Sequence, residues 1–328
     1  MVTVKTISLA SNGAPSPASG VLLHIREQGA GNARPHVVAL SDIMQIMLSG
    51  QPDPGTIALA NAVKRRLPRL VANFHDWEPL LSRAARVSAE GRTVRVPVDL
   101  GTGAPAYATY DLVSLCSGFC NSDGFAQSLE NSAYFNLAAD RLAELIMEEH
   151  SVRTQTELYG EERSSNLIGL SGYAPSDTSD EWIGGLSPEL PGWQPQVTSL
   201  SSTDAAATVA AVFDLSLACT EDLSEPTLIA AGHDVAFDVL RGFQTQQRFW
   251  SSRRGVGYLH VGFAEMFWAP SADRNAAFVL HPDDFALHHT PPLVTASGGH
   301  LVARVDQQLV CSRRRMVGRL QRHAGLHI

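Results

Sequence analysis

The chain has 328 residues, 44% hydrophobic and 18% charged, so it can bury the cores of about two domains. Its formal net charge of -8 argues against a protein that reads nucleic acid through a basic groove. The charge is uneven, because residues 157–234 contain 13 acidic side chains and one basic one, whereas residues 304–328 contain six arginines and one aspartate. This asymmetry either steers one copy onto another or marks two solvated faces.

The first part of the chain predicts an extended arm followed by a helix. Gly, Ser and Pro dominate residues 11–20, residues 21–25 fit a short strand, and residues 41–48 fit one or two helical turns. Such an arm needs a partner surface to become ordered. Residues 57–67 have helical spacing, and Pro68 should break that helix or begin another turn.

A β-hairpin comes after the arm. Residues 93–100 alternate, with Val94, Val96 and Val98 on one face, and residues 106–112 form the return strand after a Gly-rich turn. An isolated two-stranded hairpin is marginal in water. We therefore expect this hairpin to lie on another domain or on another subunit.

The middle of the chain predicts a long helix and then mixed helices and strands. Residues 131–159 contain no Gly or Pro and give a helix of roughly 40 Å that ends at Gly160. Residues 164–203 predict a long loop, and Asp204 predicts the N-cap of the next helix. The further predicted elements are helices over 205–218 and 234–243 and strands over 227–231, 257–261, 265–269 and 277–280.

The C-terminal block predicts a surface that fits other protein. Pro282 is a good first-turn residue, so residues 283–288 predict a short helix. Residues 300–320 predict one long two-faced strand, or a strand pair, ending in an arginine cluster. Residues 313–315 of that cluster could form salt bridges at an interface, be solvated, or touch DNA phosphates.

Seven segments succeed one another in a characteristic order, and a single tryptophan, Trp193, marks one of them. They are residues 158–160, 167–170, 183–196, 227–240, 246–249, 277–280 and 304–318. In this order and spacing, over roughly residues 80–328, the chain resembles the tailed-phage major capsid proteins of the Hong Kong 97-type fold.

The resemblance implies an α+β chain with the Hong Kong 97-type capsid fold. The implied parts are an N-terminal arm over 1–78, an extended hairpin loop over 79–115, a peripheral domain with a spine helix over 116–203, and an axial domain over 204–328 whose strands return to the peripheral domain. The implied function is structural and not enzymatic, without cofactor. Copies would self-assemble as hexamers and pentamers into the icosahedral shell enclosing packaged double-stranded DNA of a tailed phage.

The resemblance also implies partners and a location. The partners would be copies of the chain, a portal, a scaffold or a maturation protease, with weak non-specific contact to packaged DNA. The location would be the virion capsid, assembled in the host cytoplasm. Some relatives cross-link their shells through a lysine in the extended loop. That loop here has Arg92 and Arg95 and no lysine, so we expect no isopeptide bond.

Two alternatives remain open. The first is an encapsulin-like compartment shell of the same fold, which would enclose an enzyme cargo. The second, of another class, is a metal-dependent hydrolase, because ligand-type side chains are dense at His281, Asp283, Asp284, His288 and His289. The two-histidine metalloprotease signature with its glutamate is absent, and a capping aspartate pair with surface histidines explains the same residues. We expect no metal site.

Other residues carry weaker signals. His233 and Asp234 come after a buried strand, where catalytic residues can lie, but no Gly-x-Ser-x-Gly elbow occurs.

The cysteines have no zinc-site spacing and predict reduced, buried thiols in a soluble protein. They are Cys116, Cys120, Cys219 and Cys311. The tryptophans are interpreted as packing anchors, in the core or at an interface: Trp77, Trp182, Trp193, Trp250 and Trp268.

Overall fold

The computed structural model divides the chain into two compact units. It describes residues 2–8, 20–27, 36–39, 54–120, 135–160, 167–176, 182–190, 192–202, 204–221, 224–243, 250–253, 256–297 and 300–323. The first unit comprises Met1–Leu70, Cys116–His150 and Pro292–Val305, and the second comprises Val71–Leu115, Ser151–Pro291 and Asp306–Ile328. The predicted helical turns at 41–48 lie outside the described residues, and the four-part division of the chain stays a prediction.

The described helices are α1 (Pro54–Trp77), α2 (Phe135–Tyr159), α3 (Leu170–Tyr173), α4 (Ala205–Ala218) and α5 (His233–Gly242). The long helix α2 is confirmed; its 25 residues span about 37 Å. Helix α1 corrects a prediction, because it continues through Pro68. Proline removes one backbone donor, and the carbonyl that loses its partner belongs to Lys64. Both residues are exposed, so water can hydrate that carbonyl.

None of the helices in the described ranges has the length and apolar character that a membrane crossing requires. Among the described residues, the thiols of Cys219 and Cys311 are buried and that of Cys116 is half-buried, and none of the three forms a disulfide. Burial raises the pKa of Cys219 to about 12. The prediction of buried thiols is therefore confirmed for Cys219 and Cys311.

Antiparallel pairing dominates the first unit. Strands β1 (Val2–Ser8), β2 (Gly20–Glu27) and β3 (His36–Ala39) form a meander, which confirms the strand predicted at 21–25. Strand β15 (Leu293–Ser297) pairs antiparallel with the first part of β16 (His300–Cys311). Within the same unit, the Arg66 guanidinium of α1 contacts Asp140 and donates to Asn136 Oδ1 of α2 at 3.1 Å.

The second unit is built on a seven-stranded sheet. In spatial order its strands are β10 (Trp250–Arg253), β11 (Val256–Val261), β12 (Ala264–Trp268), β9 (Leu228–Ala231), β13 (Ala276–Leu280), β17 (Gly318–Arg322) and β8 (Gln196–Leu200). Leu228, Ala230 and Phe278 enter one apolar cluster, while Ile229 and Val279 enter another. Because successive strand residues point to opposite faces, both faces are covered here, and β9 and β13 are continuous apolar runs.

Helices α4 and α5 pack against the cluster that contains Ile229 and Val279. Asp204 caps α4 as predicted, since its Oδ2 accepts from the Ala207 N–H at 3.1 Å. The predicted strands over 227–231, 257–261, 265–269 and 277–280 correspond to β9, β11, β12 and β13.

The short helix predicted at 283–288 is wrong. Pro282–Asp284 form one 3-10 turn, and Phe285–His289 form strand β14. This strand pairs antiparallel with the second part of β16 on one side and parallel with β4 (Ala85–Ser88) on the other. Phe285 and Leu287 are buried in the core, so tertiary pairing and burial outweigh the helix-start signal of Pro282.

The predicted hairpin is confirmed as β5 (Thr93–Val98) and β6 (Ala106–Asp111), with β7 (Val113–Cys120) next along the chain. Its apolar face is buried within its own chain. Val96, Val98 and Tyr110 belong to the apolar cluster of the second unit. The expectation that this face needs another domain or subunit is therefore corrected to packing inside the same unit.

Candidate assembly surfaces

The arginine cluster at the C-terminal end forms ion pairs within its own chain. It is not the protein-binding surface predicted for it. Arg313 Nε lies 2.6 Å from Asp284 Oδ1, and Arg322 pairs with Asp238. The Arg315 guanidinium lies 2.7 Å from Glu221 Oε2. These acidic partners belong to the second unit, as the arginines do. Part of the charge difference between the acidic residues 157–234 and the basic residues 304–328 is therefore neutralised by ion pairs within one chain.

Two members of the cluster are buried outright. Arg314 and Arg319 are each 1% exposed. Arg314 Nε donates to the Tyr173 carbonyl at 2.7 Å, and Arg319 donates to Gln321 Oε1 at 2.6 Å. The Arg319 guanidinium also lies 5.4 Å from the Phe278 ring centroid. A buried cation needs hydrogen-bond acceptors of this kind, and the ring face adds to the stabilisation of Arg319, so these residues organise the core and are not available to DNA.

The return strand and the turn of the hairpin are held by a clasp formed by residues 182–190, residues 192–193 and Arg315. Gly184, with φ +62, leaves no room for a Cβ against Ala108 and Tyr110. Gly192, with φ +79, lies so close to Leu100 that a Cβ would be 1.9 Å from its carbonyl oxygen. The clasp thus fixes the hairpin against its own subunit.

Arg315 completes the clasp from the other side, with Nη2 3.0 Å from Asp99 Oδ2. The backbone N–H of Gly101 and then Arg315 lower the pKa of Asp99, so the carboxylate stays charged at neutral pH. The outer face of the hairpin remains exposed. There the Arg95 guanidinium lies 4.3 Å above the Tyr107 ring.

The ligand-type residues at 281–289 do not converge. His281 Nε2 lies 2.8 Å from the Cys219 carbonyl, and Asp284 pairs with Arg313. Burial raises the pKa of Asp284, partly offset by Arg313, and burial lowers the pKa of His288. Among the described residues, no three His, Cys, Asp or Glu side chains come together as metal ligands. Since 285–289 is a strand, Asp284 and His288 are not one helical turn apart.

An aromatic patch lies where β12 ends and α5 begins, and sequence reasoning missed it. The His233 and Phe237 rings stack with centroids 6.3 Å apart, and His233 meets Trp268 edge-on at 6.1 Å. Phe237 is 53% exposed and Trp268 is 56% exposed. The Arg241 guanidinium lies 5.8 Å from the Phe237 ring. We call His233, Phe237, Arg241 and Trp268 the aromatic patch. The sequence signal for its helical part is the i,i+4 spacing of His233, Phe237 and Arg241 along α5.

The tryptophans divide between core and surface. Trp193 is buried in the core, whereas Trp182 and Trp268 are exposed. The side chains of Trp77 and Trp250 lie outside the described ones.

His233 Nδ1 lies 2.8 Å from Asp234 Oδ1, and Arg274 Nη2 lies 3.0 Å from the same oxygen. His233 and Asp234 are thus part of the exposed patch and its rim.

No family model and no curated protein matches the sequence. Solved structures do match. A cyanophage A-1(L) capsid subunit has a TM-score of 0.55 at 13% identity, over 74% of this chain and 92% of that chain. The capsid of an empty GTA particle has a TM-score of 0.52 at 15% identity, over 75% and 90%. The holo-SrpI encapsulin complex from Synechococcus elongatus PCC 7942 has a TM-score of 0.50 at 11% identity, over 75% and 88%.

These likenesses fix the fold. The chain has the mixed helix and strand architecture of the phage capsid structures, and the predicted Hong Kong 97-type capsid fold is confirmed. The long helix α2 and the hairpin β5–β6 are parts that the sequence resemblance predicts.

Proposed function

We propose that this chain is the major capsid protein of a tailed phage, and that it self-assembles into the icosahedral shell that encloses packaged double-stranded DNA. The single observation that carries this proposal is the fold, which matches nine-tenths or so of each capsid subunit, 92% for the cyanophage and 90% for the GTA particle. The role is structural, and the subunit needs no catalytic residue or cofactor for it.

Exposed apolar side chains support self-assembly. Monomeric proteins rarely leave large aromatic side chains exposed in groups. Here the aromatic patch is exposed on the second unit, and so is Trp182. Copies arranged with closed symmetry would cover these side chains, and many modest contacts would add up over the shell.

The charge pattern supports weak contact with packaged DNA. Tight phosphate binding needs free cationic side chains. The net charge is -8, and Arg313, Arg315 and Arg322 are paired with carboxylates of their own chain. DNA could then be packed and released without adhering strongly to the shell.

The remaining parts of the proposal rest on the same fold. Residues 1–78 would be the arm, 79–115 the hairpin loop, 116–203 the peripheral domain and 204–328 the axial domain. Hexamers and pentamers would form in the host cytoplasm with a portal, and with a scaffold or maturation protease. The finished protein would reside in the virion capsid.

An encapsulin-like shell around an enzyme cargo is the second candidate. It is favoured by the likeness to the holo-SrpI encapsulin complex. The two candidates share the fold and differ in what the shell encloses.

Electron microscopy of the expressed protein tests the proposal. We expect closed shells at micromolar concentration, and particles from a lysogen or infected cell should hold nuclease-protected DNA. Empty or enzyme-filled shells without DNA would favour the compartment. A compact monomer at all concentrations, with its arm already ordered, would refute both.

A further inference from the structure

The aromatic patch lies on the flank of α5 that faces away from α4. Gly242 marks the near flank, because a Cβ there would lie 2.6 Å from Val209 Cγ2 of α4. A helix turns by about 100° per residue, so Phe237, five residues earlier, lies about 140° around from Gly242. His233, nine residues earlier, lies about 180° around by the same rule. The patch is therefore on the outer flank of this two-helix layer.

The opposite flank of the layer belongs to α4 and differs in size and charge. Val209 faces α5, and Phe213 meets Phe243 at 6.5 Å. By the same rotation, Asp214 and Ala218 lie about 140° and 180° around from Val209. Both are exposed, and Leu217 beside them is 70% exposed. We call Asp214, Leu217 and Ala218 the Asp214 edge; it is small, partly apolar and acidic.

We propose that the aromatic patch of one copy docks against the Asp214 edge of a second copy, so that successive copies join head to tail. This inference rests on the proposed self-assembly and names the surface that carries it. Two different patches on opposite flanks of one layer make a heterologous contact, which closes into a ring when the rotation allows. Rings of five and six copies need such a contact.

Charge and shape favour a second copy of the chain over an unrelated protein as the partner of the aromatic patch. Arg241 covers Phe237 on the patch, and Asp214 is the exposed acid on the opposing edge. Opposite charges fix the register of an interface, and buried aromatic and arginine side chains carry most of its affinity. The small Ala218 leaves space for a large ring. A steric and electrostatic complement is thus present on the same chain.

Assembly of single variants tests the proposal. We expect Phe237→Ala and Trp268→Ala to raise the subunit concentration for assembly, measured by light scattering, by about tenfold or more. Phe263→Ala is the matched control. Phe263 is 79% exposed and directly precedes β12, about 16 Å along the strand from Trp268, so its loss should leave assembly unchanged.

Charge reversal tests the pairing itself. Arg241→Glu and Asp214→Arg should each raise the assembly threshold, and the double variant should restore it because the pair is then reversed across every contact. Equal thresholds for wild type, Phe237→Ala and Trp268→Ala would overturn the inference and leave the shell proposal intact. An equal loss in Phe263→Ala, or no restoration in the double variant, would overturn it too.

Hydroxyl-radical footprinting of the wild type covers the case in which a variant fails to fold. Oxidation of Phe237 and Trp268 should fall at least fivefold on assembly, measured by mass spectrometry against dissociated subunits. Unchanged oxidation in intact shells would mean that the patch faces solvent or another protein, and would overturn the inference. A wild type that never assembles would overturn both this inference and the proposed function.

Discussion

Glu78 shows how this chain tolerates a buried acid. The residue is 1% exposed and comes directly after α1. Its carboxylate accepts hydrogen bonds from the Leu81 N–H and from the Tyr159 hydroxyl at the end of α2. Burial raises the pKa of Glu78, and the bonds from Tyr159 and Leu81 offset only part of that rise. These two contacts therefore make Glu78 a structural residue.

We expect Glu78→Ala to lower the free energy of unfolding by about 1–3 kcal/mol, because the buried Tyr159 hydroxyl and Leu81 N–H lose their acceptor. Urea denaturation of the unassembled subunit measures this loss. Glu90→Ala is the control, since Glu90 is exposed and should change stability by about 0.5 kcal/mol or less. Similar losses in both variants would contradict the structural role of Glu78.

The raised pKa of Glu78 also sets the sign of a pH effect. The fold favours the protonated acid, so this contribution to stability is full below the unfolded pKa, near 4.5, and is lost as pH rises through the folded pKa above it. Glu78→Gln cannot ionise and cannot show this loss. The stability of the Gln variant relative to wild type should therefore grow as the pH rises above about 4.5. A pH-independent difference in urea denaturation would exclude the effect.

At the scale of elements, the clasp can be tested with two glycines whose φ angles are nearly equal. Gly192 has φ +79 and Gly185 has φ +76. Alanine at either position carries a strain of about 1–2 kcal/mol. At Gly192 the added Cβ would also strike the Leu100 carbonyl, whereas nothing lies within 4 Å at Gly185. Gly192→Ala should thus also loosen the hairpin.

We expect amide hydrogen exchange in β5 and β6 to accelerate at least tenfold in Gly192→Ala and to stay near the wild-type rate in Gly185→Ala. Thermal unfolding should show the larger loss for Gly192→Ala. Equal exchange in both variants would mean that residues 182–190 and 192–193 do not hold the hairpin.

Local patterns predicted many elements, because their causes are local. The alternation of Val94, Val96 and Val98 gives one apolar hairpin face, and the Asp204 side chain caps α4. Strand β14 could not be predicted this way, since its pairing partners are β4 and the distant β16. The signal of Pro282 is real but covers a single 3-10 turn. Beyond that turn, long-range pairing decides the conformation of the chain.

The arginine cluster failed as a surface prediction for a related reason. Charge counts along the sequence do not show which opposite charges meet. Asp99 and Glu221 lie 216 and 94 residues from Arg315, yet both contact its guanidinium. Likewise, the aromatic patch joins α5 to the end of β12, so Trp268 is absent from any periodic pattern of the helix. Contacts distant in sequence thus defined the candidate surfaces.

For the whole molecule, charged groups that pair within one chain contribute little to recognition between copies in the proposed assembly. Arg313, Arg315 and Arg322 have carboxylate partners in their own unit. Long-range steering by an acidic middle and a basic end is therefore weakened before two copies meet. In the proposed assembly, copies would therefore join through apolar contact and a limited number of specific charges, as at the aromatic patch.

The composition of the chain also predicts whether covalent bonds link the copies in the proposed shell. An isopeptide bond needs an amine nucleophile, and residues 79–115 contain no lysine; the two lysines of the chain are Lys5 and Lys64. The guanidinium groups of Arg92 and Arg95 stay protonated and do not replace an amine. Particles boiled in detergent should therefore run on a denaturing gel as monomers, at about the 35.3 kDa of the full chain. A parallel sample of unassembled subunits is the control. Cleavage of the arm would move the band below this mass, whereas a ladder of multiples above it would show covalent cross-links and contradict the prediction.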